Sequence, residues 1–162
     1  MKLPEIVKRS LAAFALCMVQ TDGVHAARIE NQFNLNTDFE NAFGYSMATQ
    51  AGCLVFIGGI VSIDQKGDLV GEGDVAVQAH QLYTQLEATL KAHDLTLKNI
   101  VQESFYVKNI NNMAGAGEVR TKFYEKAKAT FPSTVGMEIS NLGMPGAEIE
   151  MTAIAERCNG AL

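Results

Sequence analysis

One carboxylate in this sequence lies in an apolar setting that favours acid–base chemistry. Glu150 alternates with Ile149 and Met151, so in a strand its side chain points to the opposite face from theirs. A carboxylate withdrawn from water into a cavity between subunits has a raised pKa and can act as a general base toward water. The alternative is a surface glutamate paired across strands, with Glu148 and Glu138 simply solvated.

Two further side chains carry hydroxyl groups suited to a ligand site. Tyr45 can stack on a ligand or hydrogen-bond to it, or it can be an aromatic residue that packs at the start of a strand. Thr134 can hydrogen-bond to a ligand, but it is also a β-branched residue of the type that strands favour. Both interpretations stay open for each residue.

The histidines and glycine-rich turns form no recognised catalytic motif. His25 lies in the N-terminal segment, and His80 and His93 belong to a predicted helix or its end, so a Ser-His-Asp arrangement has no support. Residues 71–74 lack the lysine of a phosphate-binding loop. The sequence therefore favours neither a hydrolase triad nor nucleotide binding.

The cysteines show no Cys-x-x-Cys pair and no cysteine–histidine spacing typical of zinc sites, so the sequence supports neither a zinc site nor a thioredoxin-type redox motif. A disulfide between Cys53 and Cys158 is compatible with an oxidising compartment. Cys53, however, opens an apolar segment, and we interpret it as a buried thiol that packs as a small hydrophobic residue.

Residues 1–26 have the layout of a signal peptide. Basic side chains precede an apolar run at 11–19, and Val24 and Ala26 stand at the positions where a signal peptidase accepts small residues. We predict cleavage after Ala26, a periplasmic or secreted protein, and no membrane attachment, because the run is too short to span a bilayer. The alternative is an amphipathic helix or a misassigned start, which would leave the protein cytoplasmic.

Length and charge indicate a single globular domain and argue against nucleic-acid binding. The chain has 162 residues, which is about one domain, and 48% of them are hydrophobic, which is typical of a globular core. Its net charge is −5 and it has no sustained cluster of Lys and Arg. Since nucleic-acid binding requires such a basic surface, nucleic acid is not an expected partner.

The elements that must position these side chains begin near residue 44. Residues 27–43 are rich in asparagine and weakly patterned, so we expect an irregular lead-in before a domain at 44–162. A short strand is expected at 45–49. A second strand at 53–57, buried on both faces, is expected to end or bend at Gly58 and Gly59.

Two helices are predicted from apolar residues spaced three and four apart. Asp74 is an N-cap candidate for a helix that ends near His93, and Asn111 or Asn112 can cap a second helix that stops before Pro132. A strand at 100–107 is expected between them.

Alternating apolar and polar residues predict two half-buried strands near the C-terminus, at 134–139 and 148–155, with a turn at 143–146. Two amphipathic helices cover only one face of such a sheet, so another subunit must cover its second face unless that face is polar. We therefore expect an oligomer.

Short strings along this α+β pattern resemble the RidA/YjgF family through their order and spacing. They are GYS at 44–46, LVFIGG at 54–59, DQKG at 64–67, LVG at 69–71, DV at 74–75, QA at 78–79, YVK at 106–108, FP at 131–132 and IEMTAIA at 149–155. The resemblance implies a chorismate-mutase-like sheet with two helices on one face. It also implies a barrel-like homotrimer with small-molecule pockets between subunits, and hydrolysis of 2-iminoacids and enamines without a cofactor.

The same resemblance implies the site residues. Tyr45 matches a pocket tyrosine and Glu150 matches the glutamate that handles the water. Gly58 stands where the family has a serine, Gly117 where it has an asparagine, and Thr134 where it has the arginine that anchors the substrate carboxylate. Ile60 replaces a further pocket glutamine of the family. Because Thr134 stands where the arginine would be, we expect no guanidinium at the anchor position.

Two functions remain after these replacements. The first is hydrolysis of an imine, enamine or related C–N compound that lacks the usual anchored carboxylate, with Glu150 as the catalytic residue. The second is a non-catalytic role in small-ligand binding or as a chaperone-like protein, because Gly58, Gly117 and Thr134 are each smaller or less polar than their family counterparts.

Overall fold

The computed structural model describes residues 29, 31–35 and 37–158. The predicted signal peptide at 1–26 and its cleavage site lie outside the described residues. The predicted α+β class is confirmed in this region, which contains six strands and three α-helices.

The six strands form one mixed sheet in the order β1-β2-β3-β6-β4-β5. All neighbouring strands are antiparallel except β4 and β5, which are parallel. The strands are β1 Asn31–Phe33, β2 Ala48–Ala51, β3 Leu54–Val61, β4 Ile100–Val107, β5 Ser133–Glu138 and β6 Ile149–Glu156. The helices are α1 Thr37–Phe43, α2 Val75–Ala92 and α3 Met113–Ala127.

Helices α2 and α3 contribute side chains to one core with the inner face of the sheet. The Asp74 carboxylate accepts the backbone N–H groups of Ala76 and Val77 at 3.0 and 3.1 Å, so the predicted cap starts α2, which ends before His93. The cap of α3 differs from expectation, because Asn112 makes no side-chain cap bond. Asn109 instead accepts the N–H of Asn111 in the preceding 3-10 turn.

The outer face of the sheet retains exposed apolar side chains. Leu54, Phe56, Val135 and Met137 are 37%, 42%, 44% and 40% exposed. The expectation that the strand at 53–57 is buried on both faces is therefore wrong, because in this chain the helices cover one face only. We call this surface the outer face below.

The lead-in at 27–43 is more regular than expected. Residues 31–33 pair with β2 as an edge strand, and residues 37–43 form α1. The asparagine-rich, weakly patterned sequence of this segment led to the prediction of an irregular lead-in instead of the strand and the helix. The helix carries Asp38 and Glu40 in its first turn, where carboxylates interact favourably with the positive end of the helix dipole.

Strand β3 does not end at its two glycines. It continues to Val61, with an irregularity in its pairing to β6 between Ile57 and Ile60. The Gly58 N–H donates to the Met47 carbonyl at 2.8 Å, so the chain stays bonded to its neighbour across the irregularity. The glycines therefore shift the register instead of terminating the strand.

Cys53 and Cys158 form a disulfide with a Cα–Cα distance of 5.1 Å. The interpretation of Cys53 as a buried thiol is wrong, because the residue precedes β3 on an exposed turn and not inside the core. The bond joins the start of β3 to the chain just after β6, and these strands are neighbours in the sheet.

Candidate functional site

A cavity of about 340 Å³ contains two of the three side chains that the sequence singled out for chemistry. Glu150 and Tyr45 are its two titratable side chains, and its remaining walls are aromatic, aliphatic or glycine. The lining residues are Phe39, Phe43, Tyr45, Gly59, Val61, Gly143, Met144, Pro145 and Glu150. A mostly apolar concave site with few polar groups is typical of small-molecule binding.

Glu150 is the second residue of β6 and points to the outer face. Its neighbours in the sheet are Val61 of β3 and Tyr106 of β4, while Ile149 and Met151 beside it are fully buried on the inner face. Burial raises the pKa of the Glu150 carboxyl above its usual range. A carboxylate with a raised pKa accepts a proton from water more readily, as a general base must.

Gly59 provides the space that the Glu150 carboxylate occupies. A Cβ added at Gly59 would overlap the carboxylate oxygen Oε1 of Glu150. The family resemblance predicts Gly58 as a site residue, but a Cβ there would meet the carbonyl oxygens of Ser46 and Met47 at 3.4 and 3.5 Å instead. The irregularity in β3 makes Gly59 the lining residue.

Tyr45 is positioned by the end of α1. Its backbone N–H donates to the carbonyl of Glu40 at 3.1 Å, and the Glu40 carboxylate accepts the Leu35 N–H at 2.7 Å. Burial and the negative charges of Glu40 and Glu150 raise the pKa of Tyr45. The phenol is thus protonated at neutral pH, and it can donate a hydrogen bond to a ligand.

Helix α1 contributes an aromatic pair that sequence reasoning missed. The rings of Phe39 and Phe43 lie 4.8 Å apart between centroids, and Phe43 is 70% exposed. Phe39 packs on Gly67, whose backbone has a positive φ of 85°, so the turn at 64–68 supports the pair. The spacing of the two residues by four was the available signal for a helix with one aromatic edge.

The predicted turn at 143–146 provides Met144 and Pro145 to the wall of the cavity. The buried side chain of Gln78 holds this loop by donating to the Gly146 carbonyl at 3.1 Å and accepting the Glu148 N–H at 2.8 Å. One residue of α2 thereby fixes both the loop and the start of β6.

Thr134 does not lie in this cavity. It pairs with Glu103 across β4 and β5 and so faces the side of the helices, opposite to Glu150. Strand spacings put the two residues about 14 Å apart. Its hydroxyl accepts a hydrogen bond of 2.9 Å from Nη2 of Arg120.

Position 134 itself carries no guanidinium, and its role as an anchor position stays a prediction, but α3 brings the guanidinium of Arg120 beside the Thr134 hydroxyl. Arg120 pairs with the fully buried Glu103 at 2.8 Å and lies over the rings of Tyr124 and Phe131. Burial opposes its charge, but Glu103 raises the pKa of Arg120 overall. The other Glu103 oxygen accepts the hydroxyls of Tyr83 and Tyr124 at 3.0 and 2.7 Å.

Gly117 also lies away from the cavity, on the surface of α3. A Cβ added there would meet nothing within 4 Å. Glu118, Thr121, Lys122 and Glu125 surround it in a shallow depression. Within one chain, the structure thus brings together Glu150 and Tyr45, with Gly59 in place of Gly58, but not Gly117 or Thr134.

The part of the chain that the structure describes contains no group of three or more His, Cys, Asp or Glu side chains arranged to hold a metal ion. Nor does any described helix have the length and apolar character needed to cross a membrane. The absence of a cofactor stays a prediction.

Comparisons with known proteins agree with this architecture. Residues 36–157 match the family described as Endoribonuclease L-PSP. A RutC family protein of Pyrococcus horikoshii is 32% identical over 111 residues, which cover 68% of this chain and 85% of the relative. The 2-iminobutanoate/2-iminopropanoate deaminase of Salmonella typhimurium is 31% identical over 113 residues, 70% of this chain and 87% of that enzyme.

Solved structures are similar over the same region. A YjgF-family protein of Mycobacterium tuberculosis has a TM-score of 0.66 and 28% identity, covering 78% of this chain and 98% of that one. The YjgF gene product of Escherichia coli has a TM-score of 0.65 and 29% identity, with coverage of 70% and 88%.

Proposed function

This chain belongs to the RidA/YjgF family, and we propose that it hydrolyses an imine or enamine at the cavity that contains Glu150 and Tyr45. The observation that carries the proposal is the Glu150 carboxylate, which burial gives a raised pKa beside a protonated phenol in an apolar cavity. The deaminase name of the Salmonella typhimurium relative supports the reaction class.

Glu150 and Tyr45 divide the chemistry between them. Glu150 removes a proton from water while the water oxygen bonds to the imine carbon, and Glu150 then passes this proton to the imine nitrogen, which gives a carbinolamine; an enamine must first take a proton at carbon to become the imine. The Tyr45 hydroxyl donates a hydrogen bond to that nitrogen and orients the C=N bond. In the second step Glu150 removes the hydroxyl proton of the carbinolamine and passes it to the nitrogen, the C=O bond forms as the C–N bond breaks, and ammonia and a carbonyl compound leave.

A coupled assay tests this proposal. A pyridoxal-phosphate dehydratase or an amine oxidase supplies the imine, and carbonyl product and ammonia are followed with and without the purified protein. We expect acceleration that Glu150→Gln lowers about 100-fold or more, a typical general-base contribution. Glu148→Gln is the matched control, because Glu148 lies two residues away and pairs with Lys108 outside the cavity.

A non-catalytic binding or chaperone-like role is the second candidate. The open surface at Gly117 and the neutral Thr134, whose hydroxyl is already bonded to Arg120, favour it. Ligand binding that survives Glu150→Ala, with no turnover of any imine, would favour this role. RNA cleavage is not proposed, because the chain is acidic and neither His80 nor His93 lines the cavity.

We further propose a homotrimer with a chorismate-mutase-like barrel. The exposed apolar residues Leu54, Phe56, Val135 and Met137 of the outer face support it, since a soluble protein gains stability by covering such a surface. The cavity of Glu150 opens on this same face, so a neighbouring subunit would help to enclose it.

Export to the periplasm or the outside is also a proposal, and the Cys53–Cys158 disulfide supports it, because disulfides persist in oxidising compartments. Cell fractionation tests it: the native chain should appear in the exported fraction, shortened at residue 26, and a chain without residues 2–26 should stay inside. Retention of the native chain in the cytoplasm at full length would contradict it.

A further inference from the structure

The cavity that holds Glu150 is negatively charged and walled by aromatic and aliphatic groups. The Glu150 carboxylate lines it, while no lysine or arginine is among its lining residues in the described part of the chain. A ligand carboxylate would find no cationic partner among these lining residues and would be repelled by the Glu150 carboxylate. A protonated nitrogen would be attracted to that carboxylate.

The apolar walls add a second requirement. Glu150 and Tyr45 are the polar side chains of the cavity, and the other side chains that line it are Phe39, Phe43, Val61, Met144 and Pro145. Phe43 is held in the cavity wall while most of its ring stays in solvent. An exposed aromatic ring at a cavity mouth gains from contact with a ring or alkyl group of the ligand.

We propose that this cavity selects cationic C–N compounds, iminium ions or the related ammonium compounds, that carry an aromatic or bulky apolar substituent and no carboxylate. The nitrogen would lie against Glu150 and the Tyr45 hydroxyl, and the substituent against Phe43 and Met144. Phe39 and Phe43 are then specificity-determining residues. This inference rests on the proposed function for the site, but it concerns recognition and not turnover.

Binding of stable probes separates recognition from chemistry. Benzylammonium, methylammonium, benzyl alcohol and benzoate are titrated into the purified protein by calorimetry or ligand-detected NMR at neutral pH. We expect benzylammonium to bind about tenfold or more tightly than benzoate or benzyl alcohol, the size of one charge-assisted hydrogen bond. Methylammonium should bind about tenfold less tightly than benzylammonium, since it lacks the apolar contact.

Two variants assign these preferences to residues. Phe43→Ser should weaken benzylammonium about threefold to tenfold through the lost ring contact, and Glu150→Gln should remove the preference over benzyl alcohol. Ile110→Ser is the matched control, because Ile110 is 46% exposed and lies outside the cavity. Its affinities should equal those of the wild type.

Benzoate binding as tightly as benzylammonium, no binding of benzylammonium, or no effect of Phe43→Ser would overturn the inference. If benzylammonium binds as expected but no imine is hydrolysed, recognition is supported and the proposed catalysis fails. If carboxylate-bearing 2-iminoacids are turned over and benzoate competes with them, catalysis stands and the inference on substrate class fails.

Discussion

At the scale of single residues, the site depends on a glycine that leaves space for a carboxylate. Gly59 permits Glu150 to lie against the backbone of β3, where water is partly excluded. Any side chain at 59 would displace the carboxylate. The catalytic potential of Glu150 is therefore determined by its neighbour in the sheet as much as by its own type.

The raised pKa of Glu150 predicts the pH dependence of the reaction. The base is active when deprotonated, so kcat/KM should rise with pH through the raised pKa of Glu150 and level off above it. A profile of kcat/KM from pH 4 to 8 on one imine checks this, and Glu150→Gln should remove the rising limb of that profile. A profile that falls over this range, or a limb that persists in Glu150→Gln, would assign the titration to another group.

Arg120 stabilises a buried carboxylate, and this predicts a large effect on stability. Arg120→Met removes the cation paired with Glu103, which is fully buried and keeps only the hydroxyls of Tyr83 and Tyr124. Loss of one partner of a buried pair costs about 3 kcal/mol in the free energy of unfolding. Urea denaturation measures it, with Lys122→Met, an exposed change on the same helix, as the control.

The double variant Glu103→Gln, Arg120→Met isolates the cause. It should recover part of the loss, because an uncharged amide is less costly to bury than an unpaired carboxylate. A double variant no more stable than Arg120→Met alone would show that the packing of Arg120 on Tyr124 and Phe131 matters more than its charge.

Among the elements of the fold, helix α2 is followed directly by a buried histidine that should make stability depend on pH. His93 is 1% exposed, packs edge-on against Phe33 of β1, and neither ring nitrogen has a hydrogen-bond partner within the described residues. Burial and then the charge of Arg157 lower the pKa of His93, while Asp94 opposes them.

The sign follows from the neutral state of the folded imidazole. Below about pH 6.5 the unfolded chain binds a proton that the folded chain resists. The free energy of unfolding should therefore have its full value above that pH. It should fall as the pH drops toward the lowered pKa of His93, by at most about 1.4 kcal/mol per pH unit. Urea denaturation at pH 7 and 5 measures the loss.

His93→Leu should reduce this loss between pH 7 and 5, whereas His80→Gln, a change on the exposed side of α2, should leave it intact. Equal pH dependence in His93→Leu and the wild type would assign the acid sensitivity to other groups, such as carboxylates.

The elements that the sequence predicted correctly are those whose residue pattern depends on neighbours along the chain. The cap at Asp74, the period of α2 and the alternation of β6 follow from neighbouring residues, and the structure has all three. The cavity wall made by α1 and the contact of Arg120 with Thr134 depend on packing between distant segments. The chain order alone does not encode which residues meet there.

At the scale of the whole molecule, the two faces of the sheet differ in what covers them. The inner face is packed by α2 and α3, whereas the outer face exposes apolar groups around the opening of the candidate site. Edge strand β5 is exposed along its whole length. Association through the outer face would bury these groups and further desolvate Glu150, which would raise its pKa again.

A charge placed on the outer face should therefore dissociate the protein. Phe56→Glu and Met137→Glu put a carboxylate where two chains would meet, at a cost of several kcal/mol if it is buried unpaired. Light scattering coupled to size exclusion should give three times the chain mass for the wild type and a lower mass for both variants. Val77→Glu, which is equally exposed but on the helical side, should remain trimeric. A wild-type monomer would contradict the proposed assembly. An intact trimer in both variants would show that the interface lies on another surface.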